Sequence, residues 1–127
     1  MSNLYICPTP IGNLQDISTR VLDTLETVDV IYCEDTRRAR KLVENFSITT
    51  PLKSYFVGNE KIKIAEIEKT LTDGKNVALI SDAGTPLISD PGNDLIRHLI
   101  INNFNIISIP GPSSVLTAVS YTHLRAH

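Results

Sequence analysis

"VALISDAGTPLISDPG", residues 77–92, decides how the rest of the chain is read. Val77, Ala78, Leu79 and Ile80 are apolar without alternation, the pattern of a strand buried on both faces. The twelve residues that follow, 81–92, hold two glycines, two prolines and two aspartates, with no Lys or Arg. A connector between a strand and a helix needs only about 2–6 residues. This one is longer and rich in residues that fix special backbone shapes, so it has work beyond joining. Its end, Asp90-Pro91, predicts a helix cap followed by proline at the first helical position.

Working outward, the same unit recurs. Short apolar, β-prone runs lie at 4–7, 30–33, 52–55, 77–80 and 106–109. Helical spacing fills the gaps. Ile17, Val21, Leu22, Leu25 and Val28 form one stripe, and Ala39, Leu42, Val43 and Phe46 a second. Ile64, Ile67 and Leu71 form a third, and Leu95, Ile96, Leu99 and Ile100 a fourth. A last helical pattern begins at Ser113 with Val115, Leu116 and Val119. Strands alternating with helices, most of them without in/out alternation, predict an α/β fold: a mainly parallel five-stranded sheet with helices on both faces.

Ligands of such sheets bind outside the carboxyl ends of the strands. The turns at that edge are "PTPIGNLQD", "EDTRR", "SDAGTPLISDPG" and "PGPSS", all dense in Pro, Gly and small polar residues. The opposite turns, "FSITT" and "TDGKN", are ordinary connectors. One such loop alone would be turn chemistry. Four on one edge point to a ligand site.

Bulk properties narrow the class. The 127 residues are 42% hydrophobic and 20% charged, with a net charge of −2. That suits one soluble globular domain and argues against a broadly basic nucleic-acid coat. No apolar run approaches the roughly 20 residues of a membrane span, and the N-terminus lacks a signal-peptide pattern. Cys7 and Cys33 sit in apolar sequence without CxxC spacing and are expected to be reduced core thiols of a cytoplasmic protein. The glycines form neither GxGxxG nor a Walker A loop, no metal-ligand cluster is visible, and no nucleophile elbow occurs. His98, on a helical stretch, is expected to be exposed or to pack.

Three chemical candidates remain. Ala83-Gly84-Thr85 permits close approach of main chain to a ligand. Ser113 and Ser114, where a helix should begin, suit an anionic group or serve simply as a helix cap. "EDTRRARKL", 34–42, carries the densest basic cluster, Arg37, Arg38, Arg40 and Lys41. It fits phosphate binding or a solvated, salt-bridged helix face.

Taken together, "TPIGNLQDIS", "CEDTRRARKL", "SDAGTPLISDPG" and "IPGPSSVLTA" resemble the ribosomal RNA small subunit methyltransferase I family. That family comprises bacterial 16S rRNA 2′-O-ribose cytidine methyltransferases within the tetrapyrrole-methylase superfamily. The resemblance runs in order from about Leu4 to Val119. It implies S-adenosyl-L-methionine as cofactor, folded against several loops at the carboxyl edge of the first domain's sheet. By resemblance, Asp82, Ala83, Gly84, Thr85 and Leu87 lie against it, with Ile11-Gly12 and Ser113-Ser114 completing the pocket. It also implies 16S rRNA in the small ribosomal subunit as partner, with Arg37, Arg38, Arg40 and Lys41 on the RNA, and a homodimer at full length.

The implied reaction is methyl transfer to a ribose 2′-oxygen. Glu34 and Asp35 are candidates for the base, or instead orient Arg37 and Arg38. The alternatives are a tetrapyrrole or other small-molecule methylase of the same fold, and a non-catalytic nucleotide- or RNA-binding domain. Residues 1–120 are expected to form the first, cofactor-binding domain. The family's second domain is not matched, and 121–127, "YTHLRAH", follows no family pattern, so the 127 residues alone are expected to be inactive.

Overall fold

The computed structural model describes residues 2–9, 16–55, 58–82 and 92–110. Strands and helices alternate along them: β1 (Asn3–Thr9), α1 (Thr19–Thr27), β2 (Val30–Cys33), α2 (Thr36–Asn45), β3 (Leu52–Ser54), α3 (Glu60–Thr72), β4 (Val77–Asp82), α4 (Gly92–Ile101) and β5 (Asn105–Ser108). The five strands form one sheet in the order β3-β2-β4-β1-β5, and every pairing is parallel. All five expected strands and all four helical stripes within these residues are present. The last pattern, from Ser113, and the Asp90-Pro91 cap lie outside them.

Right-handed crossovers assign the faces. From β1 through β2 to β3 the chain moves one way across the sheet, and from β3 through β4 to β5 it moves back. Helices α1 and α2 therefore cover one face, and α3 and α4 the other. The packing agrees. Val21, Leu25, Leu42 and Val43 bury against Cys7, Ile31 and Ala78. Ile67, Leu71, Leu95, Ile96 and Leu99 bury against Leu4, Ile6, Tyr32, Val77 and Leu79. Fully burying one such Leu or Ile contributes about 1.5–3 kcal/mol. Both faces being covered is why β4 and β2 read as unbroken apolar runs.

Helix ends are set locally. Ser18 caps α1 by accepting the Val21 N–H. Helices α2, α3 and α4 all stop in the same paired hydrogen bonds, with one residue in the left-handed region. At α2, Ser47 (φ 56°) donates to Glu44 O and Ile48 to Val43 O. At α3, Gly74 (φ 87°) donates to Leu71 O and Lys75 to Thr70 O. At α4, Asn103 (φ 65°) donates to Ile100 O and Phe104 to Leu99 O. These stops turn the chain sharply back toward the next strand.

Candidate functional site

The carboxyl edge gathers the ends of all five strands. Strand β4 is central there. On one side β1 pairs with it, Pro8 opposite Ser81 and Thr9 opposite Asp82. On the other side β2 pairs with it through Tyr32 opposite Leu79. Glu34 follows the end of β2 directly and is exposed. The chain leaves β1 and β2 toward one face and β4 toward the other. Such reversals open a crevice at the strand ends, where open α/β sheets take their ligands.

The strand-end groups suit a polar ligand. Thr9 is buried and its hydroxyl donates to Ser81 O at 3.3 Å, tying β1 to β4 at the mouth of the long loop. The Ser108 hydroxyl, near the end of β5, is buried with no hydrogen-bond partner among the described residues. A buried hydroxyl left unpaired costs about 1–3 kcal/mol. Nothing in the sequence singled out Ser108. On the α3/α4 face, buried Tyr55 follows β3, donates its N–H to Cys33 O at 2.8 Å and forms a hydrogen bond with the Leu95 backbone in the first turn of α4. Burial and the charges of Asp94 and Glu60 push its hydroxyl pKa up, so it stays protonated.

Of the expected cofactor residues, Ile11, Gly12, Ala83, Gly84, Thr85, Leu87, Ser113 and Ser114 lie outside the described residues. Asp82 closes β4. The structure brings together the roots of their three loops. Strands β4, β1 and β5 are adjacent in that order, so loops separated by some 70–100 residues of sequence spring from neighbouring strands.

Loop "EDTRR" leaves β2 on the other flank of β4. Asp35 is the N-cap of α2, and its Oδ1 accepts the backbone N–H of Arg37 and of Arg38, both at 3.1 Å. Ala39, Leu42 and Val43 turn to the sheet. At 100° per residue this points Arg37 and Lys41 straight outward, with Arg38 and Arg40 on the flanks. All four are exposed, as are Glu34 and Asp35. Among the described residues no ion pair joins Arg37, Arg40 or Lys41 to an acidic side chain.

The thiols are unsuited to chemistry. Both cysteines are free and buried. Burial pushes the Cys7 thiol up to about 12. Burial and the Asp35 charge push Cys33 to about 11, with Arg40 pulling the other way. Neither forms useful thiolate at neutral pH. Among the described residues no cluster of His, Cys, Asp and Glu could hold a metal ion, and no helix is long and apolar enough to cross a membrane. His98 pairs with Glu68 at 3.0 Å between α4 and α3, half-exposed, away from the carboxyl edge.

A profile of the tetrapyrrole (corrin/porphyrin) methylases matches residues 3–126. The chain belongs to that family. Relatives named ribosomal RNA small subunit methyltransferase I include those of Bacillus subtilis, 44% identical over 94% of this chain and 41% of the relative, and Mycoplasmopsis pulmonis, 49% identical over 90% of this chain and 51% of the relative. The chain thus spans about half the length of the curated relatives it matches. A cobalt precorrin-4 methyltransferase of cobalamin biosynthesis superposes with a TM-score of 0.72 over 95% of this chain and 50% of its own, at 19% identity. The uroporphyrin-III-C-methyltransferase of Thermus thermophilus gives 0.66. These two share the methylase fold, and the family relationship legible in the four loops holds.

Proposed function

We propose that this protein acts in S-adenosyl-L-methionine-dependent methylation of small-subunit rRNA, at a ribose 2′-oxygen of a cytidine. The observation that carries the reading is identity of 43–49% over 90–98% of this chain to relatives named for that RNA. The exposed, basic α2 beside the carboxyl edge supports RNA over a tetrapyrrole as substrate, because outward cations on a helix suit a phosphate backbone.

When bound, S-adenosyl-L-methionine supplies an activated methyl group on sulfonium. The chain's own part is positioning and proton removal. The loops rooted on β4, β1 and β5, with Asp82, Ala83, Gly84, Thr85, Leu87, Ile11, Gly12, Ser113 and Ser114, would hold the cofactor. The orphan Ser108 hydroxyl and the buried Thr9 at the strand ends fit a polar ligand there. Arg37, Arg38, Arg40 and Lys41 would hold the RNA backbone. Holding the acceptor oxygen in line is worth roughly 7–11 kcal/mol of the barrier. Glu34, just past the end of β2, would take the hydroxyl proton.

The test supplies labelled S-adenosyl-L-methionine with small ribosomal subunits, to this chain and to its Bacillus subtilis relative in parallel. Label on a cytidine ribose of the small-subunit rRNA supports the reading. Label transferred only to a tetrapyrrole replaces it. Calorimetry checks the cofactor site directly: the chain binds S-adenosyl-L-methionine, and Gly84→Val removes binding because a branched side chain intrudes where main chain must approach.

A further inference from the structure

We infer that Asp35 is a positioning residue for the RNA-binding arginines. The inference rests on the RNA reading above and concerns the same site.

The geometry is specific. The two backbone amides that the Asp35 carboxylate accepts belong to Arg37 and Arg38. These are the second and third residues of α2, whose first turn has no other intrahelical partners for its N–H groups. The body of α2 is anchored by buried Ala39, Leu42 and Val43. The first turn lacks such an anchor: Thr36 is half-buried, and Arg37 and Arg38 are exposed. The cap therefore contributes to its order. Without it the first turn loosens, and Arg37 in particular loses a fixed direction. Arg40 and Lys41, one turn further in, keep theirs. Both N–H bonds fall on one oxygen, which fixes the carboxylate against the helix start. Glu34 makes no such bond among the described residues and lies exposed between the end of β2 and Asp35.

Three neutral replacements separate capping from charge. Asp35→Asn and Asp35→Ser keep a side-chain acceptor that caps as well as Asp; Asp35→Ala does not. All three lose the same charge, so a difference between them reports the cap alone. Binding to a small-subunit rRNA transcript is measured with the full chain, with thermal melts as a check on folding. Asp35→Asn and Asp35→Ser are expected to bind at least as tightly as the parent. Asp35→Ala is expected to bind about fivefold more weakly than Asp35→Asn, the scale of one lost cap. In an Arg37→Ala, Arg38→Ala background the Asn-to-Ala difference should vanish, since the cap then has no arginines to aim. If Asp35→Ala does not fold, Asp35→Gln, polar but too long to cap, replaces it.

Equal affinity of the three variants overturns the inference, as does an undiminished Asn-to-Ala difference in the arginine-free background. A loss in Asp35→Asn as deep as in Asp35→Ala also overturns it, because the charge itself would then be at work. Failure of the parent to bind the transcript defeats the RNA reading, and this inference with it. The other outcomes leave that reading intact.

Discussion

Helices α2 and α3 are built from similar material and dispose of it differently. Each buries apolar side chains against the sheet and each carries several charges. On α3, Lys63, Glu66 and Glu68 find partners within the molecule. Glu66 accepts the buried Tyr32 hydroxyl at 2.9 Å and Lys53 Nζ at 2.6 Å on one oxygen, and Lys63 Nζ at 3.2 Å on the other. Lys63 also lies 5.9 Å from the Tyr32 ring, and Glu68 holds His98 of α4. On α2 the cations point outward, and the one acidic group at its start is occupied with backbone N–H groups. Charges satisfied inside the molecule serve the fold. On α2, Arg37, Arg40 and Lys41 face solvent with no acidic partner among the described residues.

The comparison breaks most forcefully at Glu66. Glu66→Ala removes the acceptor of the buried Tyr32 hydroxyl and leaves Lys53 and Lys63 to solvent, and is expected to destabilise the chain by about 1–2 kcal/mol, the scale of one buried hydrogen bond with solvent-screened ion pairs adding little. Urea unfolding measures it. Glu66 also sets an acid limb. Lys53 above all, with Tyr32 and Lys63 adding, holds its carboxyl down at about 2 against an ordinary 4.5. The depressed value means its contribution is complete above the ordinary carboxylate range and is lost as pH falls from about 4.5 toward about 2. Glu66→Gln should flatten the stability profile across that window. An unchanged slope would show that Glu66 is not held by the lysines.

On α2 the expected response is reversed. Arg37→Ala with Arg38→Ala should weaken binding to small-subunit rRNA tenfold or more and lower the salt slope by about 1.4–1.8 for two phosphate contacts. The melting temperature should move little, because exposed substitutions typically change stability by only about 0.5 kcal/mol. Lys53→Ala with Lys63→Ala should do the opposite, losing stability while RNA affinity stays. If both pairs lower RNA affinity equally, the distinction between the two helices fails.

The smallest effect lies at the helix ends. Both helices finish in the same turn, but α3 places Gly74 at positive φ and α2 places Ser47 there. Ser47→Gly should stabilise by roughly 0.5–1 kcal/mol, because a side chain in the left-handed region carries a steric cost that glycine avoids. Gly74→Ser should cost a similar amount. Its surroundings are open, so the strain is purely of the backbone. Thermal melts of the two single variants decide it.

The sequence alone determined the order of elements, because period-2 and period-3.6 patterns are local properties of neighbouring residues. Val77, Ala78, Leu79 and Ile80 could only be a strand covered twice, and the stripe of Ala39, Leu42 and Val43 only one face of a helix. The family, too, was legible in four short loops. Which strands stand side by side was decided by tertiary structure. Nothing local to Thr9 says that it faces Asp82 across 73 residues, or that Ser108 ends two strands away from the long loop. Strand order depends on crossovers that return through both faces, and on which apolar stripe buries against which strand. The same holds for function within "EDTRR". Its composition offered two carboxylates as equals. Asp35 was drawn to the cap once α2 began at Thr36, since the free N–H groups of a first turn exist only after the helix has formed. Glu34, one residue earlier, was left exposed at the end of β2.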